Sequence, residues 1–149
     1  MLFRSKGRDG CRTPMPWDDS AQAGFSDGKP WLPIPPEHVE RNVALQDADP
    51  YSVLNAARAF LRWRRTQPAL RQGSIRFIDT SEPVLAFMRE CDAQTLLVAF
   101  NLSGAALDWT LPADLQTAQA AAAPGVANGR IEGGTLQLPA HGAFYATIG

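Results

Sequence analysis

Cysteine and histidine are scarce in this chain, with two of each in 149 residues. Cys11 and Cys91 form no CxxC pair and have no histidine at metal-ligand spacing, so free thiols are expected and a zinc site is not. No apolar run approaches the length needed to cross a bilayer, which argues against a membrane segment. The opening MLFRSKGRDG lacks the apolar core and small-residue cleavage site of a secretory signal, so the expected compartment is the cytoplasm. There is no GxSxG, and His38 and His141 fall in loop sequence, which leaves no basis for a serine or cysteine hydrolase. Walker and dinucleotide glycine patterns are missing too, and no cofactor is expected.

What remains is an ordinary globular composition, 45% apolar and 19% charged, in a chain long enough for one domain or one domain with an extension. The net charge of −1 is unevenly spread. Residues 1–76 hold 12 of the 14 Lys+Arg and 8 of the 15 Asp+Glu, a net +4, and the remainder carries a net −5. The arginines of the first half are mixed with acids, and the run RAFLRWRR lies on one expected helix. A solvated helix face explains it, and no nucleic-acid partner is expected.

Three regions follow. Residues 1–48 hold most of the prolines, and KPWLPIPPEH at 29–38 opposes regular helix or central strand, so a long irregular loop segment is expected. Trp17, Phe25 and Trp31 argue against disorder there. Residues 49–73 contain one helix: Asp49-Pro50 reads as an N-cap and first helical proline, and Val53, Leu54, Ala57, Phe60 and Leu61 recur at steps of three and four. The helix spans about 50–66 and stops near Gln67-Pro68. From Ser74 the period is two. SIRFID, VLAFMRE, TLLVAFNLS, ALDWTL, TLQLPA and AFYATI alternate with turn material, predicting an antiparallel β-sandwich of roughly six to eight strands over 74–149. The alanine-rich stretch 115–125 is compatible with helix, strand or loop.

The loop GRDGCRTPMPWDD, with Arg8, Asp9, Arg12, Met15 and Trp17, has neither helical nor strand period, as expected of a segment built to hold something. It is followed by KPWLPIPPEH, NVALQDADPYSVLNAARAFLRWRRTQPALRQG, VLAFMR and LLVAFNLS. In that order these segments resemble the C-terminal end of an α-glucosidase or oligo-1,6-glucosidase of the α-amylase family, glycoside hydrolase family 13. The resemblance runs from about residue 7 to residue 102.

That resemblance implies a mainly β chain. The first loop would correspond to the loop after the eighth strand of a (β/α)₈ barrel, the helix to the last barrel helix, and 74–149 to the C-terminal domain. Barrel chemistry sits on loops at the C-terminal ends of strands, which would put RDGCRTPM beside a sugar pocket. The family's aspartate nucleophile, glutamate acid/base and second aspartate lie on earlier strands, and no segment here matches them. The chain is thus expected to be a non-catalytic fragment, with no catalytic residue and no metal of its own. Its partners would be the missing barrel of the same polypeptide and, in the full enzyme, α-linked glucosides.

Chemistry points the same way. A retaining glycosidase needs two carboxyl groups about 5–5.5 Å apart, one ionised and one protonated. The acids from Asp79 onward fall in or beside turns and strand edges, and Asp9, Asp18 and Asp19 share a loop with arginines that would lower their pKa values. Arg8 and Arg12 are the candidate substrate-binding residues, as guanidinium donors to sugar hydroxyls, and the family resemblance would put them beside the leaving-group sugar; the alternative is an Arg8–Asp9 or Arg12–Asp18 ion pair that only shapes the loop. Asp9, Met15 and Trp17 are assigned to loop shaping. Trp17 and Trp31 would anchor the loop or stack on sugar, and Trp63 and Trp109 would be packing residues. Two rival readings are a stand-alone carbohydrate-binding sandwich and a structural module whose apolar surface makes the isolated chain self-associate.

Overall fold

The computed structural model describes residues 12–149. The chain divides into two compact units, one ending at Asn55 and one spanning Ala56–Gly149.

In the first unit the proline-rich stretch does admit helix. One turn, α1 (Pro36–Val39), starts on a proline whose absent N–H has no intrahelical partner to lose. It leads into α2 (Val43–Ala48), capped by Asn42. The helix placed by sequence at 50–66 is α3 (Val53–Arg65), and its cap differs from expectation. Asp49 closes α2 instead, and its carboxylate accepts the Tyr51 N–H at 2.9 Å. Ser52 takes over as the cap, accepting the Asn55 N–H at 3.2 Å while donating to the Gln46 carbonyl at 2.6 Å. Proline at 50 therefore lies in the turn between helices rather than at the first helical position. The division between the two units falls in the first turn of α3.

The second unit contains the rest of α3, the short α4 (Pro68–Gln72) and eight strands: β1 (Ser74–Ile78), β2 (Val84–Cys91), β3 (Gln94–Asn101), β4 (Leu107–Thr110), β5 (Gln119–Ala120), β6 (Arg130–Glu132), β7 (Thr135–Leu138) and β8 (Ala143–Ile148). They form a five-stranded sheet in the order β1-β2-β3-β8-β5 and a three-stranded sheet β4-β7-β6. Every paired strand is antiparallel to its neighbour. The expected antiparallel sandwich is present.

Alternation fills the space between the sheets. Ala86, Met88, Leu97, Ala99, Phe144 and Ala146 from the large sheet meet Leu136 and Leu138 from the small one, with Leu111 and Leu115 closing an end. Trp109 packs partly buried against this core, as expected of a packing residue. The large sheet has a second apolar side. Leu96, Val98, Ala143 and Tyr145 pack with Ala69 and Leu70 of α4 and with Phe60 and Trp63 of α3. Residues 96–99 of β3 are consequently sealed on both faces, which is why TLLVAFN reads as a continuous apolar run and not an alternating one.

Local chemistry fixes the remaining connections. Gly133 and Gly134 both have positive φ, 56° and 79°, the hand that a two-residue β6–β7 hairpin demands. The ambiguous stretch 115–125 is settled by a distant amide rather than by alanine propensity. Asn128 accepts the Ala123 N–H at 3.0 Å and donates to its carbonyl at 2.8 Å, holding Ala123 buried. Asn101, buried in the core, donates to the carbonyls of Ala105 and Pro139 and accepts from Ser103. Cys91 is a free, half-buried thiol, and Cys11 lies outside the described residues. Among the described residues no helix is long and apolar enough to cross a membrane.

Candidate functional site

The loop that the sequence marks for chemistry is held by the helix after it. The first N–H groups of α2 have no intrahelical acceptor. Val43 N–H donates to the Pro16 carbonyl and Ala44 N–H to the Trp17 carbonyl, both at 2.9 Å. The third, Leu45 N–H, goes to the Asn42 side-chain oxygen at 2.8 Å. The Asn42 amide nitrogen donates to the Val39 carbonyl at 2.8 Å, and the side chain is 1% exposed. One buried amide therefore sets the helix start, and the helix start grips the loop.

The loop's other side is fastened by a left-handed turn. Gln22, Ala23 and Gly24 have φ of 55°, 55° and 65°, a conformation costing roughly 1–2 kcal/mol for each non-glycine residue. The Ala23 carbonyl accepts the Trp17 N–H at 2.8 Å, and the Ala23 N–H donates to the Ser20 carbonyl at 2.9 Å. A side chain at position 24 would begin 2.7 Å from the Asp18 carboxylate, so glycine is needed there on both counts. Beside this turn lies a cavity of about 310 Å³ lined by Gln22, Lys29, Leu32, Ile34 and Val39 among others.

Of the site residues named from sequence, Arg8 and Asp9 lie outside the described residues. Arg12 is exposed; Pro14 turns inward and is buried; Met15 and Trp17 are about half exposed. Trp31 is 85% exposed. Among the described residues no ion pair joins Arg12 to Asp18. The Asp18 carboxyl is indeed held below its ordinary value, but the cause is Ser20, whose hydroxyl and backbone N–H both donate to Oδ1, and not an arginine. The residue that sequence reasoning missed is Asn42. Its signal is an N-cap residue before Val-Ala-Leu, in competition with Asp49-Pro50 a few residues on.

Among the described residues, two cavities have linings that hold no pair of acids of the glycosidase kind. The 310 Å³ cavity has no acid in its lining. A groove of about 430 Å³ on the three-stranded sheet has one, Asp108, beside Arg130 and Gln137. Among the described residues no group of three His, Cys, Asp or Glu is placed to hold a metal ion.

Comparison with known proteins adds to this geometry. The family model for the α-amylase catalytic domain matches residues 1–73, and that for the maltogenic amylase C-terminal domain matches residues 75–145. A probable α-glucosidase of Rhizobium meliloti (strain 1021) is 41% identical over 143 residues, which is 96% of this chain and 25% of that protein. An oligo-1,6-glucosidase of Halalkalibacterium halodurans is 38% identical over 114 residues, 76% of this chain and 20% of that one. The crystal structure of an α-glucosyl transfer enzyme superposes with a TM-score of 0.91 and 49% identity, covering 99% of this chain and 28% of its own. The chain thus spans about a quarter of the length of the relatives it matches.

Two outcomes test the loop's construction. Asn42→Ala leaves the Leu45 N–H and the Val39 carbonyl without partners, at about 1–3 kcal/mol, and hydrogen exchange at Val43, Ala44 and Leu45 accelerates tenfold or more. Unchanged exchange contradicts the assignment. Ser20 holds the Asp18 carboxyl below its ordinary value, so the contact is stabilising above that ordinary value and is lost as pH falls through the lowered one. Ser20→Ala moves the NMR titration midpoint of Asp18 upward; a midpoint that the substitution leaves unchanged refutes the contact.

Proposed function

Because the chain belongs to the α-amylase family, glycoside hydrolase family 13, we propose that it is the C-terminal part of a retaining α-glucosidase that cleaves α-glucosidic bonds of short oligosaccharides, and that alone it does not catalyse. The observation that carries the reading is the succession of a catalytic-domain segment and a C-terminal-domain segment in one chain, most of whose length matches an α-glucosidase over only a quarter of that protein.

The chemistry assigned to the whole enzyme proceeds in two displacements. A carboxylate attacks the anomeric carbon while a carboxylic acid protonates the departing sugar oxygen; water, activated by the same group now acting as base, then releases glucose with its α configuration kept. Neither group is assigned to this chain. Its contribution is the gripped loop, in which Arg12, and Arg8 before it, donate to hydroxyls of the leaving-group sugar. The rigid hold of α2 on residues 16 and 17 supports that role, because a donor fork improves the barrier only if it is already in place.

Glucosyl transfer is the second reading, favoured by the 49% identity to a glucosyl transfer enzyme. It uses the same covalent intermediate and differs in the acceptor, a sugar hydroxyl in place of water. Product analysis at high maltose concentration separates the two: free glucose in excess of new oligosaccharide indicates hydrolysis, and the reverse indicates transfer.

The 149-residue chain is expected to release no p-nitrophenol from p-nitrophenyl α-glucoside above the uncatalysed rate, whereas a longer polypeptide from the same reading frame releases it with retention. In that longer protein Arg12→Ala lowers kcat/KM for maltose or isomaltose about tenfold, ~1.4 kcal/mol of transition-state binding, and alters aryl glucoside cleavage less than about twofold. Glucose released by the short chain alone, or equal losses on both substrates, would sink the corresponding assignment.

A further inference from the structure

The groove on the three-stranded sheet is built from a row of side chains that the strand register dictates. Side chains alternate along a strand, so with Leu107, Ile131, Leu136 and Leu138 packed in or against the core, Asp108 of β4, Gln137 of β7 and Arg130 of β6 come to the outer face. They stand in one line because Gln137 is the register partner of both others. Residue 129 is glycine where a side chain would begin 2.8 Å from both the Gln137 carbonyl oxygen and the Leu138 side chain, which lets the segment carrying Arg130 lie close against β7. The Arg130 Nε–H donates to Gln137 Oε1 at 2.7 Å, and Arg130 Nη2 stands 3.6 Å from Glu132. The guanidinium fork is thereby set in place, with Nη1 and the Gln137 amide nitrogen remaining as donors. At the other end of the row, no hydrogen bond or ion pair among the described residues engages the Asp108 carboxylate. Ala106 and Pro139 add apolar wall to the groove of about 430 Å³.

We infer that this groove is a second, non-catalytic binding site for a neutral oligosaccharide. Its charges select that class. An anion drawn to Arg130 meets Asp108 in the same row, and a cation drawn to Asp108 meets Arg130, so neither charge is favoured. The lining holds no aromatic ring, which leaves a flat apolar ligand nothing to stack on. A polyhydroxylated chain suits the whole row. Each hydroxyl both donates and accepts, neighbouring hydroxyls can meet a carboxylate or a guanidinium fork at two points, and the row offers acceptor, donor and donor across two strand spacings, about 10 Å in all. The volume falls in the range of small-molecule sites. Without a stacking ring the binding is weak, with a Kd of about 1–10 mM. The inference rests on the proposed function only for the kind of sugar, an α-linked gluco-oligosaccharide, and none of these side chains is assigned a part in catalysis.

The test is a titration of the 149-residue chain with maltoheptaose, followed by NMR. The Arg130 Nε–H, the Gln137 side-chain amide and the Asp108 backbone N–H are expected to shift together along one saturating curve. Arg130→Ala and Asp108→Ala each weaken the binding at least about fivefold and, because both side chains are exposed, leave the melting temperature within about 2 °C. No saturating shift at these groups overturns the inference, as do undiminished binding in both variants and inorganic phosphate that moves the same signals at lower concentration than the sugar. Failure here leaves the catalytic reading standing if a longer polypeptide still cleaves glucosides. A longer polypeptide that cleaves none, beside a short chain whose groove saturates with maltoheptaose, upholds the site and refutes the catalytic reading.

Discussion

Everything in the second unit depends on β3 being sealed from water on both sides. Leu96, Leu97, Val98 and Ala99 are all essentially inaccessible, and their four side chains point alternately to two different environments. Leu97 and Ala99 face the partner sheet, and Leu96 and Val98 face α3 and α4. A sheet so constituted cannot be a self-sufficient sandwich with one wet face. The strand obliges the large sheet to bury its outer face under α3 and α4, around Tyr145 and Trp63.

The candidate loop obeys a different constraint, the need of a short helix to place its first N–H groups. With no side chain available for Val43 and Ala44, the backbone carbonyls of Pro16 and Trp17 serve. The carbonyls are thereby immobilised, and with them the segment carrying Arg12, Met15 and Trp17. The left-handed turn at 22–24 completes the restraint from the other side, its cost offset by hydrogen bonds to Trp17 and Ser20. Such a loop is tied by hydrogen bonds on both sides without being regular.

Much of the architecture was legible because its signals are periodic. The six short apolar runs from SIRFID to AFYATI each became a strand whose ends fall within two residues of the run. What escaped was decided by single side-chain contacts that leave no periodic signal. The two-residue β5 and three-residue β6 are too short to show a period, and Asn128 reaches across five residues to fix the alanine-rich connection. The helix start moved from Pro50 to Val53, and its cap from Asp49 to Ser52, because Ser52 and Asn55 together satisfy carbonyls at the end of α2, including that of Gln46. On the site itself, family resemblance found the loop, but the agent that braces it, Asn42, is a buried amide whose role appears only once its partners are in place.

The reading proposed above assigns the nucleophile to polypeptide outside these 149 residues. An activated fluoro-glucosyl substrate that accumulates the covalent intermediate tests it directly, read by intact mass and then by peptide mapping. The account requires the short chain to keep its mass unchanged and the longer polypeptide to gain one glucosyl adduct on a carboxylate upstream of residue 1. An adduct on any of the 15 Asp and Glu residues of this chain would contradict it.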